Sequence, residues 1–151
     1  MRKIYIGADS AGFTLKEELK THLLVLGYDV TDFGTDSEAS CHYPVFASKV
    51  SEAVQKSPDT SYGILVCGTG IGMSMCANKY NNVRAAVCGD TFSAKMTRRH
   101  NDANVLCMGA RVIGPLLAQD ILDTFLENEF EGGRHALRVD MMTDIEGSQR
   151  N

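Results

Sequence analysis

The chain has 151 residues, 44% of them apolar and 23% charged, with a formal net charge of −4; that is enough for one compact domain and not comfortably for two. The acidic balance gives no general reason to expect nucleic acid or an anionic membrane as a partner, and no apolar run approaches the ~20 residues of a membrane span. Five cysteines, at 41, 67, 76, 88 and 107, include no Cys-x-x-Cys pair, so they read as a reduced, cytoplasmic set and neither a disulfide framework nor a zinc site.

From the N-terminus, two basic residues lead straight into a short strand over residues 3–7, without the length or cleavage site of a signal peptide. Leu15, Leu19, Leu23 and Leu26 recur at helical spacing and predict a helix over 11–26, which Gly27 stops. A second strand over 28–33 enters a polar loop, 34–42. Tyr43-Pro44 opens the next helix, with Phe46, Val50 and Val54 as its apolar stripe, and Ser57-Pro58-Asp59 breaks it. A third strand, 62–67, ends in Cys67 and a glycine-rich turn, with a helix expected from Met73 to Lys79. A fourth strand covers 84–88. A helix through Phe92, Ala94 and Met96 reaches Arg98-Arg99-His100-Asn101, and a fifth strand covers 104–108. The helix over 115–128 shows Leu116, Leu117, Ile121 and Phe125 on its apolar face. Gly132-Gly133 precedes a last helical segment, about 134–146, that lies across the domain or packs on a partner. Short apolar strands alternating with helices imply a single domain built as a parallel sheet covered on both faces, wound by right-handed crossovers.

In such a sheet all strand carboxyl ends fall at one edge, where open α/β folds bind ligands. Asp9 and Ser10, Cys67 and Thr69, Asp90, and Gly109-Ala110-Arg111 belong to that edge, whereas His100 and Asn101 end a helix and belong to the opposite one. Each has a plain structural use: a small packed thiol, a turn-forming Asp9, a His100 that favours a helix dipole. The turn Gly68-Thr69-Gly70-Ile71-Gly72 narrows the choices. A dinucleotide fingerprint needs Gly-x-Gly-x-x-Gly, and its third glycine position is Met73, although Asp90 lies about 20 residues on as that fingerprint expects. A thiol phosphatase would need arginine at the same position, and a Walker loop would need Gly-Lys-Ser/Thr. What remains is a thiol and a hydroxyl facing bare backbone amides, with Arg111, Arg134, His135 and Arg138 as cations for a phosphate. That set suits proton abstraction beside a carbonyl: the amides stabilise an enediolate, and Cys67 is the base, its thiol acidified by a helix N-terminus and cationic neighbours. No metal or cofactor is needed. A nucleotide-binding module, or a sugar-phosphate-binding regulator without turnover, stays open on these residues.

The motifs Gly7-Ala8-Asp9-Ser10-Ala11-Gly12-Phe13, Asp32-Phe33-Gly34-Thr35, His42-Tyr43-Pro44, Cys67-Gly68-Thr69-Gly70-Ile71-Gly72, Ala77-Asn78-Lys79, Arg99-His100-Asn101-Asp102-Ala103-Asn104-Val105-Leu106, Gly109-Ala110-Arg111 and Glu131-Gly132-Gly133-Arg134-His135 run in order along the chain. Together they resemble the ribose-5-phosphate isomerase B / galactose-6-phosphate isomerase family over essentially the full length. The resemblance implies a Rossmann-like three-layer α/β/α sandwich with a five-stranded parallel sheet, and a homodimer or homotetramer with shared active sites. It implies cofactor-free aldose–ketose isomerisation of a phosphosugar through a cis-enediolate. Carried over by position, Cys67 moves the proton between C1 and C2. The amides of Gly68, Gly70 and Gly72, with Asn101, hold the anion, and Thr69 and His100 open the sugar ring, His100 coming from the partner subunit. Asp9 and Tyr43 meet sugar hydroxyls or the ring oxygen, and Arg111, Arg134, His135 and Arg138 take the phosphate. The final helix then belongs to the subunit interface. One departure stands out. The family carries Asp-His after the first strand, and this chain has Asp9-Ser10, so a neutral donor replaces a basic side chain near the phosphate. Ribose 5-phosphate leads as substrate, with allose 6-phosphate, galactose 6-phosphate or a tetrose phosphate as alternatives.

Overall fold

A computed structural model describes residues 1–150. Its elements are β1 (Lys3–Ala8), α1 (Phe13–Val25), β2 (Val30–Asp32), α2 (Tyr43–Lys56), β3 (Ser61–Cys67), α3 (Ile71–Ala77), β4 (Ala85–Val87), α4 (Thr91–Asn101), β5 (Val105–Gly109), α5 (Pro115–Glu127) and α6 (Arg134–Gln149). The strands form one parallel sheet in the order β2-β1-β3-β5-β4. β1 and β3 pair over six residues, Lys3 with Ser61 through Ala8 with Val66. The chain winds outward from this pair in both directions, so the ends of β1 and β3 flank the point where a doubly wound sheet opens a crevice.

Two apolar layers hold the sheet. Ile4, Ile6, Ile64, Val66, Leu106 and Met108 face α1, α4 and α5, where Leu15, Leu19, Leu23, Ala94, Ile121 and Phe125 close the first layer. On the other face Leu65, Cys67, Val105 and Cys107 meet Ala47, Val50 and Val54 of α2 and Met73 and Ala77 of α3. Every residue of β3 and of β5 is buried, which is why those segments read as unbroken apolar runs.

The five-stranded parallel sheet expected from the sequence is present, with differences at its margins. β2 and β4 span three residues each, shorter than their apolar patterns, because each lies at a sheet edge with a single neighbour. Leu26 caps α1 and is 46% exposed, and Leu116 and Leu117 point outward; α5 buries Ile121 and Phe125 as expected, together with Ala118 and Leu122. α3 starts at Ile71, two residues early, because Gly70 at φ 79° turns the chain directly into it. Two charged side chains sit in the interior. Lys16 is fully buried and pairs with Asp32 at 2.7 Å. Arg98 lies against the rings of Tyr62 and Phe125 and donates to the Asp102 carboxylate and the Ala103 carbonyl.

Candidate active site

At the carboxyl edge, β3 ends in Cys67, which is 5% exposed, and the chain turns sharply through Gly68-Thr69-Gly70. The Gly70 N–H donates to the Cys67 sulfur at 3.1 Å and fixes where it sits. This geometry requires glycine at 70: φ is positive, and a Cβ would lie 2.9 Å from the Met108 backbone. The turn is tied to the end of β5 by Ala110 N–H to Cys67 O and Arg111 N–H to Gly68 O, at 2.9 and 3.0 Å. Thr69 is exposed, and its hydroxyl accepts from the Ile71 N–H.

Three neighbours surround the thiol turn. The Arg111 side chain passes over Gly68, where a Cβ would lie 3.6 Å from its Nη1. The Tyr43 ring, at the start of α2, covers Gly72 so closely that a Cβ there would sit 2.7 Å from it. The β1–α1 turn is fixed by Asp9, whose N–H donates to Val66 O and whose carboxylate accepts from Gly12 N–H. Asp9 is therefore a turn former and is also half-exposed beside the site, with Ser10 next to it. Asp9, Ser10, Tyr43, Cys67, Gly68, Thr69, Gly70, Gly72 and Arg111 thus form one group.

The other five expected residues lie elsewhere. α4 ends at Asn101 and β5 starts at Val105, which puts His100 and Asn101 at the amino edge. The start of α6 joins them there. The His100 and His135 rings stack at 4.0 Å with 9° between their planes, and Arg134 and Arg138 are exposed on the same helix. α6 then crosses that edge and is held at its far end by Glu146, which accepts from Asn82 N–H at 3.1 Å. Seven residues of β3 separate the two groups, roughly 20 Å of strand. Within one protomer the cations of α6 cannot reach the thiol, and Arg111 is the only member of the expected phosphate set beside it.

Glu131 escapes a reading of the sequence for chemistry, because a lone glutamate before Gly-Gly looks like a solvated linker. Its carboxylate faces Nε2 of His135 at 3.6 Å and Nε2 of His100 at 3.8 Å, and it also pairs with Arg99. The donor atoms of His100, Glu131 and His135 lie within 4.8 Å of one another. Parallel rings do not aim both nitrogens at one point between them, and Arg99, Arg134 and Arg138 stand around, so the cluster is an ion-pair network rather than a metal cage. Burial, the neighbouring His100 and the charges of Arg134 and Arg138 push the His135 imidazole below its ordinary range, against the pull of Glu131.

Residues 4–142 match the Ribose/Galactose Isomerase family. The chain is 47% identical to ribose-5-phosphate isomerase B of Escherichia coli over 97% of both chains. It is 43% identical to D-erythrulose-4-phosphate isomerase of Pectobacterium atrosepticum, over 100% of this chain and 99% of that one. A solved structure of ribose-5-phosphate isomerase B from Mycoplasma genitalium, with bound ribulose-5-phosphate, superposes with a TM-score of 0.94, 40% identity and 96% of each chain covered. The chain belongs to the Ribose/Galactose Isomerase family.

Membership makes it an aldose–ketose isomerase. Such an isomerase must carry a proton between adjacent carbons and hold the charge that builds on oxygen meanwhile. A sulfur fixed by the Gly70 N–H at a glycine turn is a group of a type that can serve that need. No helix among the described residues is long and apolar enough to cross a membrane.

Proposed function

We propose that this chain interconverts ribose 5-phosphate and ribulose 5-phosphate, at sites each completed by two copies of the chain. The observation that carries the shared site is the split of its residues between the two edges of one sheet. In this reading Cys67 as thiolate removes the proton from C2 of the open-chain aldose. The electron pair moves to give the cis-enediolate, whose charge is held by the amides of Gly68 to Gly72 and by Asn101 of the second copy. The proton on O2 passes to O1, the thiol returns its proton to C1 as the C1–C2 double bond gives way to a carbonyl at C2, and the ketose forms. Thr69 and the second copy's His100 open the furanose beforehand by moving a proton from the anomeric hydroxyl to the ring oxygen. Asp9 and Tyr43 orient the sugar hydroxyls. Arg111 binds the phosphate from one side, and Arg134, His135 and Arg138 of the second copy close it from the other.

Support for the substrate comes from the relatives named ribose-5-phosphate isomerase B and from the homologous structure with bound ribulose-5-phosphate. A second substrate has a specific observation behind it. Ser10 is a neutral side chain where the resemblance implies a histidine near the phosphate, and one relative of similar identity is named for a tetrulose phosphate. A panel of tetrose, pentose and hexose phosphates decides between them: kcat/KM highest for ribose 5-phosphate is the expected order, and a tetrose phosphate in first place reverses it.

Mixing inactive partners tests the shared site. Cys67→Ala and His100→Ala should each be inactive alone. After joint refolding, half of the two-fold dimers are mixed and each carries one intact site, so about one quarter of wild-type activity returns. No recovery would place the whole site in one chain and overturn the assignment of His100.

A further inference from the structure

We propose that Glu131 is a positioning residue for the isomerase reaction, clamping His100 and His135 as one stacked pair at the subunit boundary. This rests on the reading above, in which His100 and His135 act in the site of a second copy. Glu131 is placed by backbone as well as side chain. Its N–H donates to Arg99 O at 3.0 Å, tying the linker before α6 to the last turn of α4. One carboxylate oxygen binds Arg99, and the other faces both imidazoles, at 3.6 and 3.8 Å. The rings are parallel and 4.0 Å apart. Two imidazoles at that distance resist being protonated together, and a carboxylate at the edge of both favours one proton on the pair.

The role follows from what each ring has to do. His100 must exchange a proton with the sugar, whereas His135 must stay fixed as a hydrogen-bond donor to a phosphate. His100 is 38% exposed on its side chain and ends a helix, so packing alone does not fix its ring. Glu131 in the linker faces both rings, Arg134 and Arg138 of α6 act on His135, and Arg99 of α4 pairs with the other Glu131 oxygen. Around His135, the two arginines of α6 and the neighbouring His100 oppose protonation, and the Glu131 carboxylate favours it. Removing its charge while keeping its shape should lower the proton affinity of His135 and loosen the stack.

The chain has four histidines, so their ring protons can be followed individually by NMR, with His22 and His42 as internal references. In Glu131→Gln the titration midpoint of His135 should fall, and the contact between the two stacked rings should weaken. The pH profile of kcat/KM should move to lower pH in step, with an activity loss of about tenfold at neutral pH, a part of what a positioned acid–base group contributes. Glu131→Asp should recover most of that loss. An unmoved His135 midpoint overturns the proposal, and so does an activity loss with an unshifted pH profile, which marks a merely structural residue. The titrations do not depend on whose site His100 enters. A shifted His135 midpoint together with failed mixing of Cys67→Ala and His100→Ala would therefore leave the clamp standing and remove the shared-site reading.

Discussion

Gly70 shows how tightly the thiol is specified. Its backbone N–H holds the sulfur, and its left-handed conformation aims that N–H. Gly70→Ala should lower kcat and cost about 1–3 kcal/mol of stability, because alanine is strained at that φ and has no room beside Met108; a kcat and thermal midpoint equal to wild type would refute this. Gly72→Ala should instead displace the Tyr43 ring and raise KM more than it lowers kcat, as steady-state kinetics would reveal. Ser10 is the third residue with a defined expectation. If its lack of charge weakens phosphate binding, Ser10→His should lower KM for ribose 5-phosphate. An unchanged or higher KM would mean that the pocket around it is built for a different sugar. Much of this group was legible in the sequence, since a thiol, a glycine turn and strand-end residues announce themselves by local order. Glu131 was not, because its importance lies in three partners from α4 and α6 that no spacing brings together.

At the scale of elements, the sequence conveyed the alternation of strands and helices and the apolar stripes of α1 and α2, because burial imposes a period on neighbouring residues. It conveyed edge strands poorly, because the length of β2 and β4 depends on a sheet order that pattern does not encode. Lys16 and Arg98 were hidden for a related reason: a cation on a helix reads as solvated until the tertiary fold supplies its partners. Both carry stability consequences. Arg98→Met leaves the Ala103 and Asn128 carbonyls without their donor and should cost about 3 kcal/mol, lowering the thermal midpoint by roughly 6–12 °C. Asp32 binds Lys16, Lys20 and the Gly34 N–H. Burial acts to raise its carboxyl, but those hydrogen bonds outweigh it and hold the group below the ordinary carboxylate range. A group lowered in this way stabilises the fold above its unfolded value, near pH 4, and loses that contribution as pH falls through its folded value. The wild-type midpoint should therefore drop below about pH 4, and Asp32→Asn should show a lower midpoint at pH 7 with a shallower acid limb.

The whole molecule carries the argument for assembly. α6 buries only His135 and Val139, and along its length Leu137, Met141 and Ile145 stand 65%, 57% and 63% exposed at successive four-residue steps. A helix whose outward stripe is apolar has a face that favours burial against a partner. The same helix carries Arg134, His135 and Arg138, the residues that the proposed chemistry needs in a neighbouring site. Assembly and activity are then one property, with two measurable consequences. Specific activity should fall on dilution through the dissociation range found by sedimentation, because on the shared-site proposal a lone protomer holds two half-sites at opposite edges of its sheet. The double variant Leu137→Glu, Met141→Glu should be folded by circular dichroism, monomeric, and inactive at concentrations where the wild type turns over. Full activity in a demonstrated monomer would show that one chain suffices, and the separation between Cys67 and His100 would then need another explanation.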